Sequence, residues 1–135
     1  MVHVFITGSS DGIGLATAQL LASRGHRIVL HVRNAARAST TRAAVPKAEA
    51  VLVGDLSPLA KTKKLAADAD TLEPSSRFDV VIHNAGIGFG TASRATTSDG
   101  LTATFAVNTA APYVLTCLMR RPTRGLPLRI NRDRL

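Results

Sequence analysis

Residues 4–14 read VFITGSSDGIG: an apolar run, a turn holding three glycines, and the first residues of a helically periodic stretch, IGLATAQLLASR (13–24), that Gly25 ends. A buried strand that passes through glycines into a helix is the opening of a βαβ unit. The rest of the chain repeats that alternation. RIVLHV (27–32) reads as a second strand, NAARASTTRAA (34–44) as a short helix before Pro46, and AEAVLVG (48–54) as a third strand. Ser57 caps and Pro58 opens a polar helix reaching about Leu72. FDVVIH (78–83) is a fourth strand, and after a loop of small residues a last helix spans about 99–119, with a kink expected at Pro112. Strands joined by crossover helices imply a parallel sheet, wound right-handed, with helices on both faces. The expected fold class is therefore α/β, a doubly wound parallel sheet of about four strands in the order β-α-β-α-β-α-β-α.

Composition narrows the function classes. With 135 residues, 45% hydrophobic and 19% charged, the chain has enough apolar material for one folded domain and is short for a complete two-halved nucleotide-binding sheet. The start, MVHVFITGSSDG, lacks the pattern of a secretory leader, and nowhere do about 18 apolar residues run together, so a cytoplasmic protein without a membrane span is expected. Cys117 has no second cysteine to pair with, and His3, His26, His31 and His83 are too scattered in sequence to suggest a site. The net charge of +8 is local: residues 120–135 contribute +5 and residues 1–119 only +3. With aromatics at 4% and none in the basic segment, stacking platforms are missing, and specific nucleic-acid binding is not expected.

In a doubly wound sheet, ligands bind at the carboxyl ends of the strands, where the loops 7–14, 33–34, 54–56 and 84–90 converge. Gly8 permits the tight turn out of the first strand. Gly12 leaves no side chain where a pyrophosphate approaches the backbone, and Gly14 permits close packing of the helix. The first amides of that helix, with its dipole, would face the phosphates.

The spacing TGxxxGxG at Thr7, Gly8, Gly12 and Gly14, followed in order by GDLS (54–57), HNAG (83–86) and FAVNTAAPY (105–113), resembles the short-chain dehydrogenase/reductase family over about residues 1–119. The resemblance implies a Rossmann-like fold that binds a nicotinamide dinucleotide. It places Thr7, Gly8, Ser9, Ser10, Gly12, Ile13 and Gly14 in the phosphate-binding turn, and Asp55 with Leu56 at the adenine. Asn84, Ala85 and Gly86 would lie beside the cofactor ribose, and Asn108 would help hold a proton-relay water. Each has a plainer reading too: Asp55 as a helix cap, Asn84 to Gly86 as a strand-ending turn, Asn108 as a polar helix position. His83 departs from the asparagine usual there.

The end of the second strand bears on the choice of cofactor. An acidic residue there would bond the ribose hydroxyls, whereas Arg33 either pairs with a 2′-phosphate or stands in solvent, which favours NADP(H) over NAD(H). Asp11 weighs against this, since NADP-preferring relatives often carry a basic residue in the glycine turn.

The family reaction is hydride transfer between the nicotinamide and a carbonyl or alcohol, with tyrosine as general acid/base, a lysine four residues later and a substrate-positioning serine. Here Tyr113 is followed at that spacing by Cys117, no lysine occurs after Lys64 and no serine after Ser98. RRPTRGLPLRINRDRL (120–135) has neither the β-branched run nor the serines expected next, and reads as a basic irregular tail on a part-domain of residues 1–119. A shifted reading frame or an early chain end suits it better than an evolved arm; the alternative is a non-catalytic dinucleotide- or partner-binding module with a functional tail. An interrupted sheet implies an uncovered fourth strand and an uncovered apolar side of the last helix, at Leu101, Phe105, Leu115 and Leu118, and hence self-association.

Overall fold

The computed structural model describes residues 1–72, 78–88 and 95–119. Four parallel strands, β1 (His3–Ile6), β2 (Arg27–Val32), β3 (Ala50–Val53) and β4 (Val80–Ile82), lie in the order β3-β2-β1-β4. The chain thus steps outward from β1 to β3 and then returns to the other side of β1. That reversal opens a crevice between the carboxyl ends of β1 and β4, where doubly wound sheets bind ligands.

Alternation along the strands builds two cores. Val4 and Ile6 of β1, with Ile28 and Leu30 of β2, face α1 (Gly12–Ser23) and the end of α2 (Ala38–Ala44), meeting Ala18, Ala22 and Val45. Phe5 and Val29 face the other way, against Leu65, Ala66 and Ala69 of α3 (Leu59–Asp70) and Ala111, Leu115 and Met119 of α5 (Ala111–Met119). Both faces of β1 and β2 are covered, which is why Val4–Ile6 and Ile28–Leu30 are apolar on both sides of the sheet. The α/β architecture expected from the alternation is the observed one.

Several local expectations need correction. The helix after β3 starts at Leu59 with Pro58 as its N-cap, and Ser57 is not the cap. Asp55 Oδ1 accepts the Ser57 N–H at 2.9 Å, while Asp99 Oδ2, from a loop 40 residues on, accepts the Leu59 N–H at 2.8 Å. The last helix starts at Ala103 rather than near 99, because Thr102 caps it and its Oγ1 accepts the Phe105 N–H. It runs as α4 (Ala103–Phe105), a π-helical turn (Ala106–Ala110) and α5, the π turn standing just before Pro112, the position where a kink was expected. Leu115 is not uncovered: it is fully buried under α3, and Leu118 is half-buried beside it. The large apolar residues left exposed around this face are Phe105 and Tyr113, with Val80 on β4. Among the described residues no helix is long and apolar enough to cross a membrane. The tail 120–135 and part of the loop 84–90 lie outside the described residues.

Candidate functional site

The glycine turn and the β4 loop are sewn together beneath the crevice. Thr7 Oγ1 accepts the N–H groups of Asn84 and Ala85, each at 3.1 Å. The Asn84 side-chain amide donates back to the carbonyls of Thr7 (3.1 Å) and Gly8 (2.8 Å). Space here is fully used. A Cβ on Gly14 would lie 2.3 Å from the Gly8 carbonyl and 2.4 Å from Asn84 Nδ2, and one on Gly8, at φ +63°, would lie 2.8 Å from Ala85 Cα. Gly12 differs: its φ is +53°, and a Cβ there would meet nothing within 4 Å. Gly8 and Gly14 are therefore glycines for packing, whereas Gly12 keeps an open backbone surface at the mouth of α1.

Two buried polar residues hold the turn from the β2 side. Ser9 Oγ accepts the His31 N–H at 2.9 Å and donates to the His31 carbonyl at 3.2 Å. The His31 ring accepts the Gly8 N–H at Nδ1 (3.1 Å) and has Nε2 2.7 Å from the Gly54 carbonyl. Since a carbonyl only accepts, Nε2 carries the proton and the imidazole is neutral. Burial lowers its pKa, against smaller opposing effects of the Gly54 hydrogen bond and the Asp55 charge. His31 thus couples the glycine turn to the β3–α3 loop, so the histidines, scattered in sequence, do supply one residue of the site.

Above this floor lies a charged rim. Arg33 Nε stands 4.0 Å from Asp55 Oδ2. Partial burial pushes the Asp55 carboxyl up, but hydrogen bonds from Ser57 and the charges of Arg33 and Lys61 outweigh it and hold its pKa below the usual value. Arg37, at the end of a 3-10 turn (Ala35–Arg37), donates through Nη1 to Ser10 Oγ at 3.1 Å and to Asp11 Oδ2. Arg37 was not recognisable from the sequence, where NAARAS reads as ordinary helix surface. A second arginine four positions beyond Arg33 was the available signal.

These elements enclose a cleft of about 980 Å³. Of the residues expected at the site, Gly8, Ser10, Gly12, Ile13, Arg33, Asp55, Leu56, Asn84, Ala85 and Gly86 line it. Thr7, Ser9 and Gly14 are buried and act from behind through the contacts above. Residues 95–98 and the start of α4 form a further wall that the sequence reading did not include. Asn108, in the π turn, uses its whole side-chain amide on Ile87: Oδ1 accepts the Ile87 N–H and Nδ2 donates to the Ile87 carbonyl, both at 2.9 Å. Four residues on, Pro112 has no N–H to offer the Asn108 carbonyl. His83, where an asparagine is usual, bonds Thr116 Oγ1 on α5 at 2.8 Å, and desolvation lowers its pKa although the residue is exposed overall. Tyr113 is 62% exposed, and hydrogen bonding to Cys117 raises its pKa, the wrong direction for a general base near neutral pH.

The sequence pattern described as short chain dehydrogenase matches residues 2–122. An uncharacterized oxidoreductase of Emericella nidulans is 63% identical over 127 residues, covering 93% of this chain and 49% of that protein. A short-chain dehydrogenase of Penicillium rubens is 41% identical, covering 92% of this chain and 46% of that protein. Among solved structures, a short-chain dehydrogenase from Sphingobium yanoikuyae in complex with NADPH superposes with a TM-score of 0.68 at 28% identity, over 88% of this chain and 47% of that one. A metagenomic short-chain oxidoreductase in complex with NADP gives 0.69 at 32% identity, over 87% and 54%. The chain spans about half the length of the curated relatives it matches. With this match added to the sheet order and the glycine turn, the chain belongs to the short-chain dehydrogenase family.

Proposed function

We propose that this chain forms the NADP(H)-binding portion of an oxidoreductase that transfers hydride between the cofactor and a carbonyl or alcohol. One observation carries the preference for the phosphorylated cofactor: the first residue past β2 is Arg33, largely exposed and lining the cleft, where an acidic residue would serve NAD(H). The residues fit a dinucleotide. Gly12 offers unobstructed backbone, the α1 N-cap Asp11 makes no side-chain cap bond, and the first amides of α1 are left for an anion. Asp55 and Leu56 would hold the adenine, and Asn84, Ala85 and Gly86 would border the ribose next to the nicotinamide. Bound there, the nicotinamide supplies the hydride donor or acceptor. Asn108 fixes the Ile87 loop and is a candidate member of the proton relay.

The 135 residues hold no Tyr-x-x-x-Lys pair, so binding without turnover is expected of this chain alone. Titration of the purified chain should give tighter binding of NADPH than of NADH, and Arg33→Asp should reduce or reverse the preference. Equal affinities that the substitution leaves unchanged would refute the NADP(H) reading. NADPH oxidation by aldehydes and ketones should stay at background; turnover abolished by Tyr113→Phe would refute inactivity. The exposed Val80, Phe105 and Tyr113 also support self-association, which sedimentation over a wide concentration range would contradict by showing a clean monomer.

A further inference from the structure

At the rim of the cleft an acidic residue does something its position does not call for. Asp11 is the N-cap of α1, with extended backbone at φ −158°, where an aspartate ordinarily accepts the N–H of the second or third helical residue. It makes no such bond. Its carboxylate turns instead to Arg37, whose Nη1 also reaches Ser10 Oγ, so a guanidinium from beyond β2 is held against the glycine turn by an anion of the turn itself. Both side chains stay largely in water, 55% exposed for Arg37 and 72% for Asp11, and a pair of this kind contributes little to stability and exchanges partners readily. Arg33, Arg37, Ser10 and Asp11 all line the same cleft.

We propose that Arg37 is a second cation for the phosphate on the adenosine 2′-carbon, and that Asp11 is an internal anion that occupies Arg37 until this phosphate displaces it. The inference rests on the reading of this cleft as the site of a 2′-phosphorylated dinucleotide. A phosphate monoester carries more charge than a carboxylate and presents three acceptor oxygens, so it outcompetes Asp11 for the planar fork of the guanidinium. The released Asp11 side chain is 72% exposed and is taken up by water, which leaves the first amides of α1 to the cofactor. A cofactor without the phosphate has nothing to exchange for Asp11 and leaves the pair in place. The acidic residue in the glycine turn then stops being an argument against NADP(H): the cation that relatives place in the turn is delivered here by the segment after β2.

The experiment is a titration of the full 135-residue chain, three single variants and one double variant with NADPH and NADH, and with adenosine 2′,5′-bisphosphate and adenosine 5′-monophosphate to isolate the adenosine half. Thermal melts establish that each variant is folded. Arg37→Gln should lower affinity for the 2′-phosphorylated member of each pair about tenfold more than for the other member, the loss expected of a charge-assisted contact. Asp11→Asn should do the opposite, raising affinity for NADPH and the bisphosphate by a few-fold, roughly twofold to tenfold. In the double variant that gain should disappear, because Asp11 acts through Arg37. If Arg37→Gln weakens both members equally, Arg37 is only a staple between two loops and the inference falls; it falls too if Asp11→Asn brings no gain. The third variant, Arg33→Ala, separates the two readings. A preference lost with Arg33→Ala and untouched by Arg37→Gln overturns this inference and leaves the reading of Arg33 standing, whereas the reverse pattern overturns the reading of Arg33 and keeps Arg37.

Discussion

The floor of the cleft and its rim are built on different principles. The floor, where Thr7, Ser9, His31 and Asn84 bind the glycine turn, uses neutral hydrogen bonds between groups that are buried or half-buried and have no room to shift. The rim, where Arg33, Arg37 and Asp11 stand, uses full charges that stay mostly in water. Buried neutral contacts fix geometry because each one lost leaves a polar group without water. Exposed charges fix almost no geometry but distinguish ligands by charge. On this view the shape that accepts a dinucleotide resides in the floor and the choice between phosphorylated and unphosphorylated forms resides in the rim.

The largest expected effect tests the floor. Gly14→Ala drives a methyl group into the Gly8 carbonyl and the Asn84 amide, and should cost about 3 kcal/mol in urea or thermal unfolding, the upper part of the range for overpacking. A loss below ~1 kcal/mol would mean that the turn and the β4 loop can part, and the contrast with the rim would fail. A smaller effect comes from acid. The folded-state pKa of His31 is depressed, so the unfolded chain binds its proton first: this contribution to stability is complete above the ordinary histidine value of 6.5 and is lost as the pH falls from there towards the folded pKa. The charged group facing the ring is Asp55, whose own pKa is lowered from 3.8, so it stays ionised through that window. Following thermal stability from pH 8 down to about pH 5 should show a decline that His31→Phe removes. The smallest effect belongs to the rim: Asp11→Asn should change unfolding stability by no more than about 1 kcal/mol while still altering cofactor preference.

The same contrast explains what the sequence reveals. The strand, turn and helix of residues 3–23 are legible because glycines at fixed offsets between an apolar run and a periodic stretch admit few conformations. Thr7 and Asn84 are legible only as members of motifs; that they bind each other across 77 residues follows from β4 lying beside β1. His31 hides in RIVLHV as a polar residue in an apolar run, where its need for partners was the available clue. The burial of Leu115 is not legible because an unpaired end of the sheet implies a bare α5, whereas α3 covers it through contacts that local sequence does not show. Asp99 as the acceptor for Leu59 N–H has no local signal, since the two are 40 residues apart.

The π-helical turn has an implication for how this segment tolerates insertions and deletions. Between Ala106 and Ala110 the chain fits one extra residue into a helical turn, as the bond from the Ala111 N–H back to the Ala106 carbonyl records. That extra residue sets the rotational phase between Asn108, aimed at Ile87, and Leu115, aimed at α3. Deleting Thr109 would restore an ordinary helix but turn one end against the other by about 100°. Either Asn108 would leave the loop or Leu115 would leave the core. Length is therefore constrained here more tightly than identity: alanines and a threonine can be exchanged for other small residues, but none of them can be removed.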